Sequence, residues 1–519
     1  MASSVISGSS SAIDEELHSL LSPQAGCEVL LRKIEAPTLL WLNESLATRD
    51  EAVRSGRVSL EEYGARLVEA CSFRAVAEAD RPTHAGMADR YGGSGLNGNG
   101  GSGRAVIVNG YYVKGVGRTP LIGDGTDRAH ASGDAYLEEA CREAIFAEIF
   151  AAELPFGAIR TLAIIDTGER AFWQEVDKYE TKVLVVRLPF RRVGHFVRAL
   201  AHRSLVDRTG SADALRVEHH FAQWTGAIGS MAVADAVSDL PRRVAKQLGY
   251  CFAHRLAHGS PTLSNIALDG RLLDFGATSS LPSYARARLS PISAGATFGV
   301  PARVLEQLGG FVAQCERATG LSFGAWSATV QDCQAAYEDE VVLQTGRLCG
   351  IHPSSISNLP SRDAQQLRAD LARAFRESQA SSVDLLRGDS RRAWAEAGAP
   401  GLPAAALTVM KRYGTPSTAD AGPLVWPRPE LAREEMRDVL YAQVDGRDAA
   451  SRGNVGKVID RWVSSNRRDF APRSDAANPD HISRYASPAP RTKSDCAPAQ
   501  LKAQRQSSAD LQCANLHAS

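Results

Sequence analysis

The sequence predicts an α+β fold in which a strand-rich region with one long helix precedes a larger, mainly helical region. Three observations lead to this prediction: short β-branched and aromatic runs between residues 105 and 190, an amphipathic stretch over residues 133–154, and helical periodicity through most of residues 300–462. The chain has 519 residues, more than one hydrophobic core usually supports, so two or three domains are expected.

The predicted strands lie on either side of the predicted helix. The runs AVIVN and YYVKG are short and rich in β-branched or aromatic residues, which favours a pair of strands. The helix ends where Pro155 and Gly157 interrupt its pattern, and the apolar runs TLAIID and TKVLVVRLPF then indicate buried strands. Further on, IALDGRLLDFG is typical of a hairpin with Asp269-Gly270 as its turn.

Five regions are predicted along the chain. The Ser-rich residues 1–12 and the Pro-, Ala-, Ser- and Arg-rich residues 466–519 lack apolar periodicity and are expected to be disordered. Residues 13–84 are predicted to be helical, because LLRKIEAPTLLWLNESL and VSLEEYGARLVEACSF place apolar residues three and four positions apart. Residues 85–200 form the predicted strand-rich lobe, and residues 201–465 the mainly helical lobe.

Composition excludes several classes of protein. Lys plus Arg and Asp plus Glu both total 59, and this lack of a basic excess argues against a dedicated nucleic-acid binder. No stretch reaches the roughly 18 apolar residues needed to span a bilayer, and the N-terminus lacks the pattern of a secretory signal. The nine cysteines include no CxxC pair, which favours reduced thiols. We therefore expect a cytoplasmic protein without a membrane span.

Four residues on these elements have the chemistry of a magnesium–nucleotide site. Lys114 lies on a predicted strand, from which an ammonium group can hold phosphates. Glu143 lies on the predicted helix and can pair with that lysine, as in protein kinases. Asn265 ends HGSPTLSN and Asp274 lies in LLDFG, and their amide and carboxylate oxygens suit Mg²⁺.

Each of these features alone has a plainer interpretation. A strand lysine is usually a solvated charge, a helix glutamate is usually a surface residue, and DFG occurs by chance in many sequences. Their order along the chain, each on a suitable element, favours the functional interpretation. A small strand-rich lobe with one helix, followed by a larger helical lobe, is the layout of a bilobal protein-kinase-like fold.

The same part of the chain resembles the selenoprotein O family of pseudokinases, including a divergent branch that contains the microcin-maturation protein MchC. The resemblance covers roughly residues 85–280. The motifs that carry it are, in chain order, RYGG at 90–93, GSGRA at 101–105, KGVGRTP at 114–120, GDG at 123–125, REAIFAE at 142–148, VVRLPFRRVGHF at 185–196, HGSPTLSN at 258–265 and DFG at 274–276.

The resemblance implies a selenoprotein O-like fold that binds ATP and Mg²⁺ and transfers AMP, rather than the γ-phosphoryl group, to a protein or peptide. It implies an ion pair between Lys114 and Glu143, and metal binding by Asn265 and Asp274. It also implies a set of nucleotide-binding positions, which are Gly101, Gly103, Arg104, Lys114, Asp124, Gly125, Arg187 and Arg192.

One position departs from the family pattern. The family has an Asp before the Asn, thought to act as base toward an acceptor hydroxyl, where this sequence has Ser264. Three explanations stay open: a catalytically inactive scaffold, a substitute base such as His258, or an acceptor that needs no base. A carboxylate is such an acceptor, since it is already ionised at pH 7. The MchC-like branch is associated with joining a peptide carboxylate to a siderophore sugar, which would add an acyltransferase-like partner.

Two alternatives to AMP transfer remain at this stage. A kinase-type phosphotransferase acting on a protein or small molecule would use the same residues and release ADP, whereas AMP transfer releases pyrophosphate. A catalytically inactive pseudokinase would bind nucleotide, or only a partner protein, as a scaffold.

Overall fold

The computed structural model describes residues 22, 24–93, 98–123, 126, 131–174, 177–200, 202, 211–288, 297–384, 394, 401–413, 428–444 and 449–468. It mixes helices with one large sheet, which confirms the predicted α+β class. The predicted disordered regions lie outside the described residues, except that 466–468 are described. Asp124 and Gly125 of the predicted nucleotide site also lie outside them.

A nine-stranded antiparallel sheet forms the first part of the described chain, with strand order β2-β8-β9-β6-β5-β4-β1-β3 and β7 paired to β9. Its strands are β1 (Gly26–Lys33), β2 (Thr38–Leu42), β3 (Phe73–Ala75), β4 (His84–Asp89), β5 (Ala105–Val108), β6 (Tyr111–Lys114), β7 (Ala135–Tyr136), β8 (Ala163–Trp173) and β9 (Lys178–Arg187). Short pairs elsewhere are β10 (Leu256–Ala257) with β11 (Ser279–Ser280) and β12 (Arg286–Arg288) with β13 (Ser382–Asp384).

The centre of the sheet is fixed by a tight hairpin. Asn109 and Gly110 both have positive φ, of 48° and 85°, and an Asn-Gly pair is the preferred two-residue turn between antiparallel strands. The turn sets the register of β5 and β6, which pairs Ala105 with Lys114. Strand β9 on the other side pairs Tyr112 with Arg187. The predicted strands AVIVN, YYVKG, TLAIID and TKVLVVRLPF are therefore confirmed.

Part of the helical prediction for residues 13–84 is wrong. The stretch LLRKIEAPTLLWLNESL contains strands β1 and β2, which belong to the large sheet. In β1 the buried residues are Val29 and Leu31, so the relevant period is two rather than 3.6. VSLEEYGARLVEACSF is confirmed as helical, since it contains helix α3, defined below.

The helices are α1 (Glu44–Ala47), α2 (Glu51–Arg54), α3 (Leu60–Cys71), α4 (Leu137–Glu153), α5 (Ser211–Ile228), α6 (Ser230–Ala253), α7 (Ala302–Thr319), α8 (Trp326–Leu348), α9 (Pro353–Ser357), α10 (Ser361–Ser378), α11 (Ala404–Met410), α12 (Arg433–Gln443) and α13 (Ala449–Asn466). The predicted helix at 133–154 is confirmed as α4. None of the helices in the described residues is both long and apolar enough to cross a membrane.

Helix α4 is buried on nearly all sides because the sheet and the later helices both pack against it. Ile164 and Val185, on one face of the sheet, join α4 and the C-terminal helices in one apolar cluster. Ile165 and Val186, on the opposite face, join a second cluster with α3. Helices α12 and α13 also pack on α4, and α13 reaches β2. The acidic side chains of α4 are therefore placed inside the protein, where they need partners.

The predicted hairpin IALDGRLLDFG is also present. Ile266 and Leu272 form an antiparallel bridge, and Gly270 takes a φ of 87° in the turn. The Leu273 N–H donates to the Asn265 carbonyl at 3.1 Å, so the hairpin brings Asn265 beside the residue that precedes Asp274.

Candidate nucleotide-binding site

Lys114, at the end of β6, is the centre of a buried group of charges. Its side chain is 7% exposed, and its Nζ donates to Glu143 Oε2 at 2.8 Å and to Asp274 Oδ1 at 3.4 Å. Sheet register points the lysine toward α4, and the turn after the hairpin supplies Asp274 from the other side. The structure thus brings together three of the four residues predicted to form the core of the site.

Glu143 lies on the buried face of α4 and has a second cationic partner. Arg187, at the end of β9, donates from Nη2 to Glu143 Oε1, while Lys114 holds the other oxygen. All three side chains are at most 7% exposed. Because each oxygen of this buried carboxylate binds one cation, Glu143 fixes the two cations relative to each other.

Asp274 presents its carboxylate to the cleft through an unusual backbone conformation. Its φ of 63° and ψ of 74° lie in the left-handed region, and its side chain is 41% exposed. Such a conformation is costly for a non-glycine residue and is often found at functional sites. Burial would raise the pKa of Asp274, but Lys114, Arg104 and Arg187 together lower it, so the group is an anion at neutral pH.

Glu139 is a further charged residue of the cleft, and it was not among the residues predicted from the sequence. Its Oε1 lies 2.9 Å from Arg104 Nη2 and 3.5 Å from Lys114 Nζ. Its position one helical turn before Glu143 was the available signal, because residues four apart share a helix face. Arg104, just before β5, also donates to the Asp134 carbonyl at 3.2 Å.

Asn265 lies in the loop that precedes the hairpin. Its side-chain nitrogen donates to the Ser260 carbonyl at 2.9 Å, and the residue is 8% exposed. This bond identifies the side-chain nitrogen, so that Oδ1 is the atom available for the predicted metal contact. The bond from the Leu273 N–H to the Asn265 carbonyl brings the backbone of Asn265 beside the residue that precedes Asp274.

Arg192 is as deeply buried as Arg187 and less exposed than Arg104, the other two predicted phosphate-binding arginines. Its guanidinium donates to the Ser264 carbonyl at 2.8 Å and to the Tyr112 hydroxyl at 2.9 Å, and it lies 4.3 Å from the centre of the Tyr91 ring. The residue is 4% exposed. These contacts anchor the loop that carries Ser264 and Asn265, and direct phosphate binding by Arg192 stays a prediction.

Gly101 and Gly103 have steric reasons to be glycine. A Cβ atom at Gly101 would lie 2.2 Å from the Asp89 carbonyl oxygen, and one at Gly103 would lie 2.7 Å from the Ile122 side chain. The φ of Gly101 is 152°, a value that L side chains rarely adopt. These contacts account for the glycines by close packing, and their predicted contact with nucleotide stays a prediction.

A comparison with known protein families matches residues 96–290 to the family described as protein adenylyltransferase SelO. We call this matched range, residues 96–290, the SelO segment. It contains every charged residue of the cleft described above. A comparison with curated proteins gives no match. The SelO family is one of nucleotidyltransferases, and this supports the predicted resemblance to selenoprotein O. The MchC-like branch stays a prediction.

Ser264 occupies the position in the SelO segment where the family pattern has an Asp. Its Oγ lies 2.7 Å from Thr262 Oγ1, and the residue is 5% exposed. A serine hydroxyl needs a base of its own before it can accept a proton. Thr262 cannot supply one, since it carries a hydroxyl too.

His258 is placed near this loop but is not arranged to act as a base. Its Nδ1 accepts from the Ser260 N–H at 3.3 Å, and its Nε2–H donates to the Leu273 carbonyl at 3.0 Å. Burial lowers its pKa to about 4, although Asp274 partly offsets this. Because both ring nitrogens already form hydrogen bonds, the ring links the loop at Ser260 to the hairpin residue Leu273.

The donor set of the site fits Mg²⁺. Asp274 offers a partly exposed carboxylate, and Asn265 offers an amide oxygen whose orientation is fixed by Ser260. Mg²⁺ binds such hard oxygens and completes its octahedron with water and substrate phosphates. The described part of the chain contains no group of three or more His, Cys, Asp or Glu side chains placed to hold a metal.

Proposed function

We propose that the protein is an ATP- and Mg²⁺-dependent nucleotidyltransferase that transfers AMP from a protein-kinase-like cleft. The observation that supports this most directly is the contact of Lys114 with both Glu143 and Asp274 inside the SelO segment. A lysine held by a helix glutamate beside a metal-binding carboxylate is the arrangement with which kinase-like proteins orient a nucleotide triphosphate.

The charges of the cleft suit a triphosphate with a metal ion. Arg104, Lys114 and Arg187 provide three cations, each held by a carboxylate and so fixed in place before substrate binds. Pre-positioned charges stabilise the transition state without reorganisation during the reaction. Bound Mg²⁺, held by Asn265 and Asp274, would neutralise phosphate charge as pyrophosphate leaves.

We propose a carboxylate as the acceptor, in a protein or peptide. Ser264 and His258, the two residues considered as bases, are unsuited to remove a proton from a hydroxyl. A carboxylate oxygen needs no deprotonation at neutral pH. It would attack the α-phosphorus, the bond from the α-phosphorus to the bridging oxygen of the β-phosphate would break, and pyrophosphate would leave with no proton transferred. The product is an acyl adenylate.

Such a product would have a place in peptide maturation. An acyl adenylate is an activated acid, so a second enzyme of the acyltransferase type could pass the acyl group to a hydroxyl. This is the role suggested by the resemblance to the MchC-like branch, with a cytoplasmic location. Transfer of AMP to protein hydroxyls is the second candidate, and the match to a family of protein adenylyltransferases favours it.

The experiment supplies ATP labelled at the α-phosphate, Mg²⁺ and a mixture of peptides with free or amidated C-termini. We expect label on peptides with a free carboxylate, pyrophosphate release, and sensitivity of the labelled product to hydroxylamine, which cleaves acyl phosphates. Label that resists hydroxylamine and survives amidation would indicate hydroxyl transfer. ADP release would indicate a phosphotransferase, and nucleotide binding without any product would indicate a pseudokinase scaffold.

The variant Ser264→Asp separates the two acceptor classes. A carboxylate at this position would act as base toward a hydroxyl but has no role toward an ionised acid. We therefore expect Ser264→Asp to increase hydroxyl labelling and to leave carboxylate labelling the same or lower. An increase in carboxylate labelling would contradict the proposed acceptor.

A further inference from the structure

Glu139 is a carboxylate that joins two of the three cations of the cleft. Its Oε1 lies 2.9 Å from Arg104 Nη2 and 3.5 Å from Lys114 Nζ, and its Oε2 lies 3.4 Å from Arg104 Nη1. Both oxygens thus face Arg104, as in a bidentate pair. Glu139 is the carboxylate that holds the guanidinium beside Lys114.

The charge of Glu139 opposes the binding of a nucleotide. Burial would raise its pKa, but Arg104 and Lys114 lower it, so Glu139 is ionised at neutral pH. In the proposed site, Glu143 holds Lys114 and Arg187, and Asp274 is the proposed metal ligand. Glu139 is a third carboxylate in a site proposed to bind several phosphate charges, and it contacts the cations that would bind them.

The turn after Asp274 is shaped around this side chain. A Cβ atom at Gly276 would lie 3.3 Å from Glu139 Oε1, closer than most real Cβ contacts. Glu139 therefore contacts three parts of the site: Arg104 before β5, Lys114 at the end of β6, and the Gly276 turn. Its side chain is 21% exposed, so it lines the cleft rather than the core.

We propose that Glu139 is a positioning residue that sets the orientation of Arg104 at the expense of nucleotide affinity. This inference rests on the proposed nucleotidyltransferase function. With Glu139 in place, Arg104 is aimed at the phosphates in one geometry, and the repulsion between carboxylate and phosphate weakens binding. Without the charge, nucleotide binds more tightly, but the guanidinium is no longer fixed where the transition state needs it.

The test uses the full-length chain and measures the binding of MgATP by calorimetry. Turnover is measured as pyrophosphate release from MgATP in the presence of the peptides with free C-termini, which accept the AMP. We expect Glu139→Gln to lower the Kd for MgATP about threefold to tenfold. This is the size of effect expected when one repulsion between a carboxylate and a phosphate is removed from a site partly screened by solvent. We expect the same variant to lower kcat by tenfold or more. A purely structural residue would instead weaken binding and lower the melting temperature.

Two further variants assign the effect to the contact with Arg104. Glu139→Asp keeps the charge, so the Kd is expected to return to the wild-type value while kcat recovers only in part. In the double variant with Arg104→Gln, the loss of kcat from Glu139→Gln is expected to disappear, because residues that act through one contact are not additive. Additive losses of kcat would overturn the proposal.

The control is Glu148→Gln, which is on the same helix and removes a partly buried carboxylate that pairs with Arg160 outside the cleft. It is expected to leave the Kd for MgATP unchanged. If Glu139→Gln does not fold, Gly276→Ala displaces the same side chain without changing its charge, and should lower kcat with the Kd unchanged. Unchanged kcat in either variant overturns the inference about Glu139. If the wild-type chain binds no MgATP, the proposed function itself is wrong.

Discussion

The Nζ of Lys114 lies 3.4 Å from Oδ1 of Asp274, although the two residues are 160 positions apart in the chain. One comes from the central strand of the sheet and the other from a turn beyond the helices α5 and α6. The left-handed backbone of Asp274 is what directs its carboxylate back toward the sheet. The contact therefore depends on the docking of the hairpin against the sheet.

Asp274→Asn tests the carboxylate directly. We expect it to abolish Mg²⁺-dependent nucleotide turnover, by a factor of 100 or more, because an amide cannot neutralise phosphate-bound metal as a carboxylate does. The fold should persist, since the side chain is 41% exposed and Lys114 retains Glu143. The measurement is pyrophosphate release at several Mg²⁺ concentrations, together with the melting temperature.

The matched control for this change is Asp269→Asn, in the hairpin turn. Asp269 accepts from the Arg271 N–H at 3.1 Å, a bond that an asparagine oxygen can also accept. Turnover of Asp269→Asn should equal that of the wild type. Full activity of Asp274→Asn at saturating Mg²⁺ would show that this carboxylate is not needed for the reaction.

Arg192→Lys separates two roles of Arg192: support of the loop that carries Ser264 and Asn265, and binding of phosphate. Arg192 bonds to the Ser264 carbonyl and the Tyr112 hydroxyl, and a lysine cannot make both planar contacts. We expect a destabilisation of about 1–3 kcal/mol, the cost of leaving a buried polar group unsatisfied. The Kd for MgATP should stay near the wild-type value, because the described contacts of Arg192 are to the protein; a clearly weaker Kd would instead support the direct phosphate binding that the resemblance implies. Urea unfolding and calorimetry provide the two measurements.

Arg187→Lys is the contrasting variant, because Arg187 pairs with Glu143 on the wall of the cleft. A lysine there keeps a positive charge for Glu143 but lacks the planar guanidinium, whose other N–H groups can donate to a phosphate. We expect a weaker Kd for MgATP with a smaller loss of stability than in Arg192→Lys. If the two variants have the same profile, both arginines act on the nucleotide in the same way.

Acid should destabilise the protein between about pH 6.5 and pH 4, because His195 is buried as a neutral ring. Burial lowers its pKa to about 4, although Asp89 partly offsets the shift. The unfolded chain takes up the proton near pH 6.5 and the folded chain only near pH 4. The stability contributed by the neutral ring is therefore complete above about pH 6.5 and is lost as the pH falls toward 4. At about 1.4 kcal/mol per pKa unit, His195 lowers the free energy of unfolding by about 3 kcal/mol over this pH range.

The geometry around His195 accounts for the neutral form. Its Nδ1 accepts from the Arg192 N–H at 3.2 Å, and its Nε2–H donates to Asp89 Oδ2 at 2.9 Å. Urea unfolding at a series of pH values gives the stability, and hydrogen–deuterium exchange at the ring C–H gives the pKa of His195 itself. An exchange midpoint near 6.5 would contradict this account of the acid transition.

Local sequence patterns were enough to predict the elements with a single strong signal. The Asn109-Gly110 turn and the runs that flank it identify β5 and β6, and the long apolar face of α4 identifies the helix. Strands β1 and β2 were missed. Burial in β1 alternates, but a bulge between Leu39 and Trp41 disturbs β2 and leaves Leu40 and Trp41 both buried, which imitates helical spacing.

The residues of the candidate site also differ in whether the sequence alone could predict them. Lys114, Glu143 and Asp274 could be predicted because each lies in a short motif whose chemistry requires that residue type. Glu139 needed the helix face to be known, and the bond between Arg192 and the Ser264 carbonyl needed the tertiary structure, since 72 positions separate the two residues. A pattern in the sequence indicates which groups are present, whereas their partners depend on packing between distant segments.

The last prediction concerns the ion pair of Arg428 with Glu153, the last residue of α4. The two guanidinium nitrogens lie 2.9 Å and 3.0 Å from the carboxylate oxygens, and both residues are buried. Tyr250 and the Arg468 N–H also donate to Glu153. The pair thus joins the C-terminal part of the described chain to the helix that carries Glu143.

Arg428→Met should destabilise the protein by about 3–5 kcal/mol, because it leaves a buried carboxylate without its cation. The double variant with Glu153→Gln should lose less than Arg428→Met alone, since neither charge is then stranded. Arg437→Met is the control: Arg437 is 51% exposed and pairs with its neighbour Asp438, so its loss should cost under about 0.5 kcal/mol. Urea unfolding of the wild type, the single variants Arg428→Met and Glu153→Gln, and the double variant gives the cycle, and Arg437→Met is measured beside them. If the double variant is less stable than Arg428→Met, Glu153 stabilises α4 through Tyr250 and Arg468 independently of the ion pair.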